Sequence, residues 1–219
     1  MDEPVTSSTG HRRRRWVVAG TLVVGAASVA VTLRLEPGDG RFLLGAGWMA
    51  AVWAVGGVLA GPVHVSEPAG ARRALVTGVL AGTTAVALCT AGGLVVARID
   101  VLREPAEQLL DHAGDDTLLV VVLTLVNGVA EEIFFRGALH DALLGLLPAH
   151  LSVPVATGIY ALTVVGSGVV LLVLAAVLLG AAAAVLRQRT GGVLAPIVLH
   201  VIWSAGMLAL LPPVLTTGG

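Results

Sequence analysis

The sequence EEIFFRG at residues 131–137 decides how this chain is interpreted, because it places three charges at the end of an apolar run that begins near Leu118. Even on a lenient insertion scale, each charge at the centre of a membrane helix opposes insertion by roughly 2.5–3.5 kcal/mol. Charges that are kept at such a cost usually face a protein interior or a water-filled cavity, and they usually serve a function. The stretch therefore predicts a functional site within a membrane.

Helical spacing gives the two carboxylates different surroundings. Glu132 and Arg136 are four residues apart, so they share a helix face and can pair, in the favoured order with the acid first. Glu131 lies about 100° further round the helix, which leaves it free for chemistry. In the competing interpretation the helix ends here, and the charges lie at the headgroup level, where an ion pair costs little.

Composition identifies the class of protein. Of the 219 residues 56% are hydrophobic and only 12% are charged, with a mean hydropathy of +0.93. Soluble domains carry about twice that charged fraction, so the chain is predicted to be an integral membrane protein in contact with lipid. A net charge of −1 and the lack of a basic patch with interleaved aromatic residues predict no nucleic-acid partner. The single cysteine, Cys89, excludes an intramolecular disulfide and a cysteine-based metal cluster.

The apolar runs predict an all-α, multi-pass bundle of about seven transmembrane helices. A Gly-Ser-Gly sequence at 166–168 separates two tight spans, a loop is expected at 187–192, and Pro212-Pro213 is expected to end the last helix. The predicted spans cover approximately 16–33, 42–63, 74–97, 117–147, two spans between 151 and 186, and 193–211.

The arginines predict the orientation of the bundle. Four of them, Arg12 to Arg15, precede the first span. A cleaved signal peptide begins in the same way, but this apolar run is long enough to cross a bilayer. A retained helix with a cytoplasmic N-terminus places nine of the thirteen arginines on the cytoplasmic side, as the positive-inside rule requires. We therefore predict a multi-pass protein of the cell membrane whose C-terminus is extracytoplasmic.

Three regions follow from this pattern. Residues 1–15 are predicted to be a cytoplasmic tail, polar and disordered up to Gly10. Residues 16–116 hold three transmembrane helices and an acidic loop at 98–116, with a short helix around 105–112. Residues 117–211 contain the charged cluster and the remaining spans.

The last span carries a second polar pair. His200 and Ser204 are four residues apart and so share one face of their helix. Two carboxylates on one helix and a histidine on another are the minimum for activating a water molecule, with a glutamate as general base and the histidine as metal ligand or oxyanion donor. The ordinary alternative is a lone histidine that is hydrogen-bonded between helices.

Two motifs resemble those of a known family. EEIFFRGAL at 131–139 is similar to the first motif of the CAAX-protease and bacteriocin-processing (CPBP) family of intramembrane proteases. RTGGVLAPIVLH at 189–200 resembles the approach to that family's third motif, a histidine followed four residues later by asparagine. The resemblance covers approximately 118–211, and the two apolar spans between the motifs also fit.

The resemblance implies an endopeptidase domain at 117–211 that hydrolyses a membrane-associated or prenylated peptide. Glu131 would activate the water, with Glu132 and Arg136 supporting it as a pair. His200 would stabilise the oxyanion or, together with Glu131, bind a divalent metal such as zinc. Ser204 takes the place of the asparagine and can still donate a hydrogen bond.

The second motif is incomplete. In the family an aromatic residue is followed four residues later by histidine; Tyr160 matches the aromatic residue, but Val164 stands where the histidine is expected. Catalytic zinc normally has three protein ligands, and Glu131 and His200 supply only two. The remaining histidines of the later loops and spans are not expected to substitute; they are His64, His112, His140 and His150.

Two hypotheses therefore stand beside each other. The first is a CPBP-type protease. The second is a catalytically degenerate relative that acts as a membrane binding, immunity or scaffold protein. A transporter is disfavoured because the sequence lacks the duplicated halves of transporter folds.

Overall fold

The computed structural model describes residues 8–36, 39–66, 70–111 and 117–216, and within these ranges it contains helices and no strand. The predicted all-α, multi-pass membrane bundle is confirmed. The predicted tail residues 1–7 and the part of the acidic loop from 112 to 116, with His112, lie outside the described residues. The helices are α1 (Ser8–Thr32), α2 (Arg41–Ala60), α3 (Ala71–Val96), α4 (Asp100–Asp111), α5 (Thr117–Glu132), a π-helical segment (Ile133–Leu139), α6 (His140–Leu144), α7 (Ala149–Val165), α8 (Val170–Thr190) and α9 (Leu194–Thr216).

Six helical stretches among the described residues are long and apolar enough to cross a membrane. The fourth of these runs without interruption through Leu118–Leu144, 27 residues that join α5, the π-helical segment and α6. The fifth predicted span, the first of the two expected between 151 and 186, corresponds to α7, which has 17 residues and is therefore not among these six. This is the lower limit of the roughly 17–25 residues that a crossing requires.

Side-chain contacts show which helix ends lie together at one face of the bundle. Arg14 near the start of α1 donates to the carbonyl of Ala60 at the end of α2, with Nε 3.1 Å from the oxygen. It also lies 3.7 Å from the carboxylate of Asp141 in α6, which accepts a 3.0 Å hydrogen bond from Arg187 near the end of α8. Gln188 then donates to the carbonyl of Ala149 at the start of α7. The start of α1, α7 and the ends of α2, α6 and α8 thus lie at one face of the bundle.

The opposite helix ends meet at the other face. The end of α7 packs on the end of α1, where a Cβ at Gly166 would lie 2.6 Å from the Cβ of Ala30. A small apolar cluster joins the end of α3 to α4 and to the end of α9, through Ala97, Ala106 and Leu215. The passes therefore alternate in direction.

Three boundaries differ from the prediction. The expected loop at 187–192 is wrong at its start, because α8 continues to Thr190. Gly191 follows as its C-cap, with a left-handed φ of 73°. Pro212-Pro213 does not end the last helix, which runs on to Thr216. The fixed φ of proline is compatible with a helix, although each proline removes a main-chain donor and its ring crowds the carbonyl four residues earlier. Ser8–Gly10, expected to be disordered, already belong to α1.

Glycines bring the helices around the site into close contact. A Cβ at Gly57 of α2 would lie 2.7 Å from Ile133, at the start of the π-helical segment. Gly78 and Gly82 of α3 do the same against α9, where a Cβ would lie 2.7 Å from the Ala195 carbonyl oxygen and 2.9 Å from Ile202. Such close contacts at small residues are typical of helix packing in membranes.

An aromatic cluster fills the centre of the bundle. Trp53 of α2 packs against Phe134 and Phe135, with ring centroids 5.1 and 4.9 Å apart, and Phe135 packs against Tyr160 of α7 at 4.7 Å. Trp53, Phe134 and Phe135 are no more than 1% exposed. Such pairs contribute about 0.5–1.5 kcal/mol beyond the burial of their area. The cluster fixes the segment that follows the two glutamates.

Candidate active site

The two glutamates lie near the middle of the 27-residue span Leu118–Leu144. The helix continues past them to Leu144, so the interpretation in which it ends at these charges is wrong. The change from α-helix to π-helix follows at once, at Ile133. Single π-helical turns within α-helices occur frequently at functional sites.

Glu132 is the centre of a buried ionic network. Its Oε1 accepts hydrogen bonds from Nη1 of Arg136 at 3.0 Å and from Nδ1 of His200 at 2.8 Å. The side chains of the three residues are 0%, 3% and 6% exposed, respectively. Because a carboxylate only accepts, Nδ1 of His200 must carry the proton of this bond. The predicted Glu132–Arg136 pair is therefore present, and it extends to α9.

Arg136 has further partners that keep its charge inside the bundle. Its Nη2 donates to the carbonyl of Gly180 in α8 at 3.1 Å, and its Cζ lies 4.7 Å from the ring centroid of Tyr160, within cation–π range. The main-chain carbonyl of Arg136 accepts a 2.8 Å hydrogen bond from Nε of Arg187. Groups from α5, α7 and α8 thus surround one guanidinium.

Glu131 points away from this network, as its position on the helix predicts. It is half-buried, and its Oε2 accepts a hydrogen bond from the hydroxyl of Tyr160 at 2.6 Å. Among the described residues, no other side chain donates to Glu131. Its second oxygen, Oε1, therefore remains open to a water molecule or a substrate.

The helix that carries His200 approaches α5 closely. A Cβ at Gly128 would lie 3.1 Å from Cδ2 of His200, so the glycine makes room for the imidazole. Ser204, one turn further along α9, is buried at 4% exposure. Its hydroxyl takes no part in the hydrogen bonds that the described residues make around Glu132.

The part of the chain that holds this site matches a model of a known protein family. Residues 113–206 match the model described as type II CAAX prenyl endopeptidase Rce1-like. This segment belongs to the CAAX-protease family. The match includes all five predicted site residues and excludes α1 to α4. Comparison with curated proteins and with solved structures gave no match.

The described residues of the Rce1-like segment do not offer a suitable zinc site. No group of three histidine, cysteine, aspartate or glutamate side chains in the described part of the chain could hold a metal ion. His200 uses Nδ1 to contact Glu132, not Glu131, and the same carboxylate oxygen is shared with the guanidinium of Arg136. Val164 is buried in the aromatic and aliphatic core and provides no donor atom. Two of the three ligands that catalytic zinc needs are thus the most that this site supplies.

Three contributors to the site lay beyond the sequence analysis. The hydroxyl of Tyr160 was not expected to contact Glu131, although a tyrosine in an apolar span indicates a need for a polar partner. Arg187 was placed in a loop, yet it is buried at 9% exposure beside the π-helical segment. Gly180 gave no signal, since its role is to leave room: a Cβ there would lie 3.0 Å from Cδ1 of Tyr160.

Proposed function

We propose that this chain is an intramembrane endopeptidase in which Glu131 activates the attacking water. One observation carries the proposal: of two adjacent carboxylates inside the Rce1-like segment, Glu132 is held by Arg136 and His200, whereas Glu131 keeps one oxygen open. A general base must be able to reach a water molecule, and only Glu131 meets that requirement. The predicted division between a supporting and a reacting glutamate thus has a geometric basis.

The steps use groups of this chain alone. Glu131 accepts a proton from water as the oxygen attacks the scissile carbonyl carbon, and a tetrahedral oxyanion forms. When the C–N bond breaks, the departing amine takes the proton from Glu131. Such a proton transfer contributes about 10²–10⁴-fold in rate.

His200 is the proposed donor to the oxyanion. Its Nδ1 is bound to Glu132, and in the doubly protonated ring the Nε2–H would donate to the oxyanion.

The proposed substrate is a membrane-associated, prenylated peptide, in keeping with the description of the matching family model. The proposed location is the cell membrane with the N-terminus in the cytoplasm. The gathering of Arg14 and Arg187 at one face of the bundle supports this orientation.

The test is cleavage of a farnesylated peptide by purified protein in proteoliposomes. We expect Glu131→Gln to reduce the cleavage rate by at least about 10²-fold, as expected for loss of a general base. Glu104→Gln, which neutralises an exposed carboxylate of α4, is the matched control and should cleave normally. Because no step uses zinc, a chelator should leave the rate unchanged. Cleavage that survives Glu131→Gln refutes the mechanism.

A second candidate, a non-catalytic relative that binds membrane peptides, is favoured by Val164. This residue packs in the apolar core at the position where the family pattern has histidine. The binding hypothesis expects the wild type to retain the farnesylated peptide without cleaving it. Turnover that depends on Glu131 would exclude this candidate.

A further inference from the structure

Tyr160 occupies a position between the ionic network and the open carboxylate. Its ring lies 4.7 Å from the centroid of Phe135 and 4.7 Å from Cζ of Arg136, and the side chain is 6% exposed. Gly180 of α8 leaves the space that the ring fills. The ring is therefore held from several sides, and the direction of its hydroxyl is fixed.

That hydroxyl makes a short contact with the proposed base. The 2.6 Å separation between the Tyr160 oxygen and Oε2 of Glu131 is typical of a charge-assisted O–H···O⁻ hydrogen bond. Glu131 has several rotatable bonds, and it lacks the ion pair that orients Glu132. The bond to Tyr160 selects one orientation of the carboxylate and leaves Oε1 on the open side.

In α7, the other position that corresponds to the family motif cannot donate a hydrogen bond to Glu131. Val164 lies one turn beyond Tyr160, where the family pattern has its histidine, and a valine has no polar side-chain atom. Among the described residues of α7, only Tyr160 donates to a site carboxylate. In α7 the polar contact with the site is thus made by Tyr160, the first residue of the motif.

We propose that Tyr160 is the positioning residue of this site: its hydroxyl orients Glu131 for water activation, which an aromatic residue without a hydroxyl could not do. The proposal rests on the proposed function, because orienting Glu131 matters only if Glu131 is the base. Tyr160 itself exchanges no proton with the substrate. A misplacement of about 1 Å in a reacting group can cost roughly 10²-fold in rate, which sets the scale of the expected effect.

The decisive variant is Tyr160→Phe, which deletes only the hydroxyl and keeps the ring against Phe135 and Arg136. Thr163→Val is the matched control, since it deletes a hydroxyl of the same helix at the same 6% exposure. The Thr163 hydroxyl bonds to the main-chain carbonyl of Tyr160 and does not contact Glu131. We expect Tyr160→Phe to lower kcat by about 10–100-fold with KM unchanged, and Thr163→Val to leave both within about twofold of wild type. Equal kcat in Tyr160→Phe and wild type overturns the proposal.

An infrared measurement separates this proposal from the proposed function. The carboxylate band of Glu131 is assigned by its loss in Glu131→Gln. It should shift in Tyr160→Phe because a hydrogen bond is lost, and it should stay in place in Thr163→Val. A shift without any cleavage by the wild type would refute the protease function and leave the contact intact. Cleavage that depends on Glu131 while the band does not shift would refute the positioning role alone.

A third variant covers the case in which Tyr160→Phe does not fold. Replacement of Tyr160 by 4-aminophenylalanine keeps the ring and a hydrogen-bond donor at nearly the same place. We expect it to retain more than a third of the wild-type kcat. A loss as large as that in Tyr160→Phe would show that the donor is not what matters, and would overturn the proposal.

Discussion

Removing the charge of Glu132 should destabilise the fold far more than removing that of its neighbour. Glu132→Gln keeps the shape of the side chain but leaves the guanidinium of Arg136 without the carboxylate that lies 3.0 Å away. Both side chains are at most 3% exposed. Breaking a buried ion pair by removing one partner typically costs about 3–5 kcal/mol, and we expect this loss in the free energy of unfolding.

Glu131→Gln is the matched control on the adjacent residue. Glu131 is half-buried and accepts one hydrogen bond, from Tyr160, which a glutamine oxygen can still accept. We expect a loss of about 1 kcal/mol or less, the usual net value of one hydrogen bond. The measurement is reversible unfolding in mixed micelles with increasing dodecyl sulfate, followed by tryptophan fluorescence. A Glu132→Gln variant that is as stable as Glu131→Gln would refute the reasoning.

A double substitution tests whether the cost arises from the unpaired charge. Glu132→Gln combined with Arg136→Gln removes both charges, so neither remains buried alone. We expect the double variant to be more stable than the sum of the two single losses predicts, by at least about 1 kcal/mol, as is usual for residues in direct contact. Additive losses would mean that the pair is not coupled.

Three further variants test the packing around the site and the contacts at one face of the bundle. Gly180→Ala should lower both kcat and the free energy of unfolding, because the new Cβ would lie 3.0 Å from the tyrosine ring that contacts the proposed base. Gly158→Ala, where a Cβ meets nothing within 4 Å, should instead gain up to about 1 kcal/mol in the unfolding assay from helix propensity. Asp141→Asn should lower the unfolding midpoint, since this carboxylate joins α6 to arginines of α1 and α8. An unchanged midpoint would show that these contacts at the bundle face contribute nothing measurable.

The membrane helices could be predicted because charge is expensive in lipid. Runs without charge, bounded by arginines or by the Gly-Ser-Gly break at 166–168, correspond closely to the helices of the structure. The exact ends of the helices were less predictable from the sequence. The rule that proline stops a helix failed at Pro212-Pro213. The change to a π-helix at Ile133 was also missed, since a segment that is apolar on nearly every side gives no period from which an additional residue in a turn could be detected.

The site could be predicted within one helix but not between helices. A spacing of four residues is enough to pair Glu132 with Arg136. The bonds from His200 to Glu132 and from Tyr160 to Glu131 depend on which faces of α5, α7 and α9 meet. Spacing within one helix does not give that information. The resemblance predicted which helices contribute to the site, but not which carboxylate each side chain contacts.

The different roles of the two glutamates also determine what retention of the motif can mean. Glu132, Arg136 and His200 join α5 to α9, and the arginine reaches α8 as well, so a chain without any activity would still lose these contacts between helices if one of them were replaced. Their presence alone therefore does not distinguish a protease from a binding protein. Glu131 contributes only one hydrogen bond to the fold, and a half-buried carboxylate inside a membrane span is costly to keep. A chain released from catalysis would lose little stability by replacing it, and for this reason the open oxygen of Glu131 favours an active enzyme.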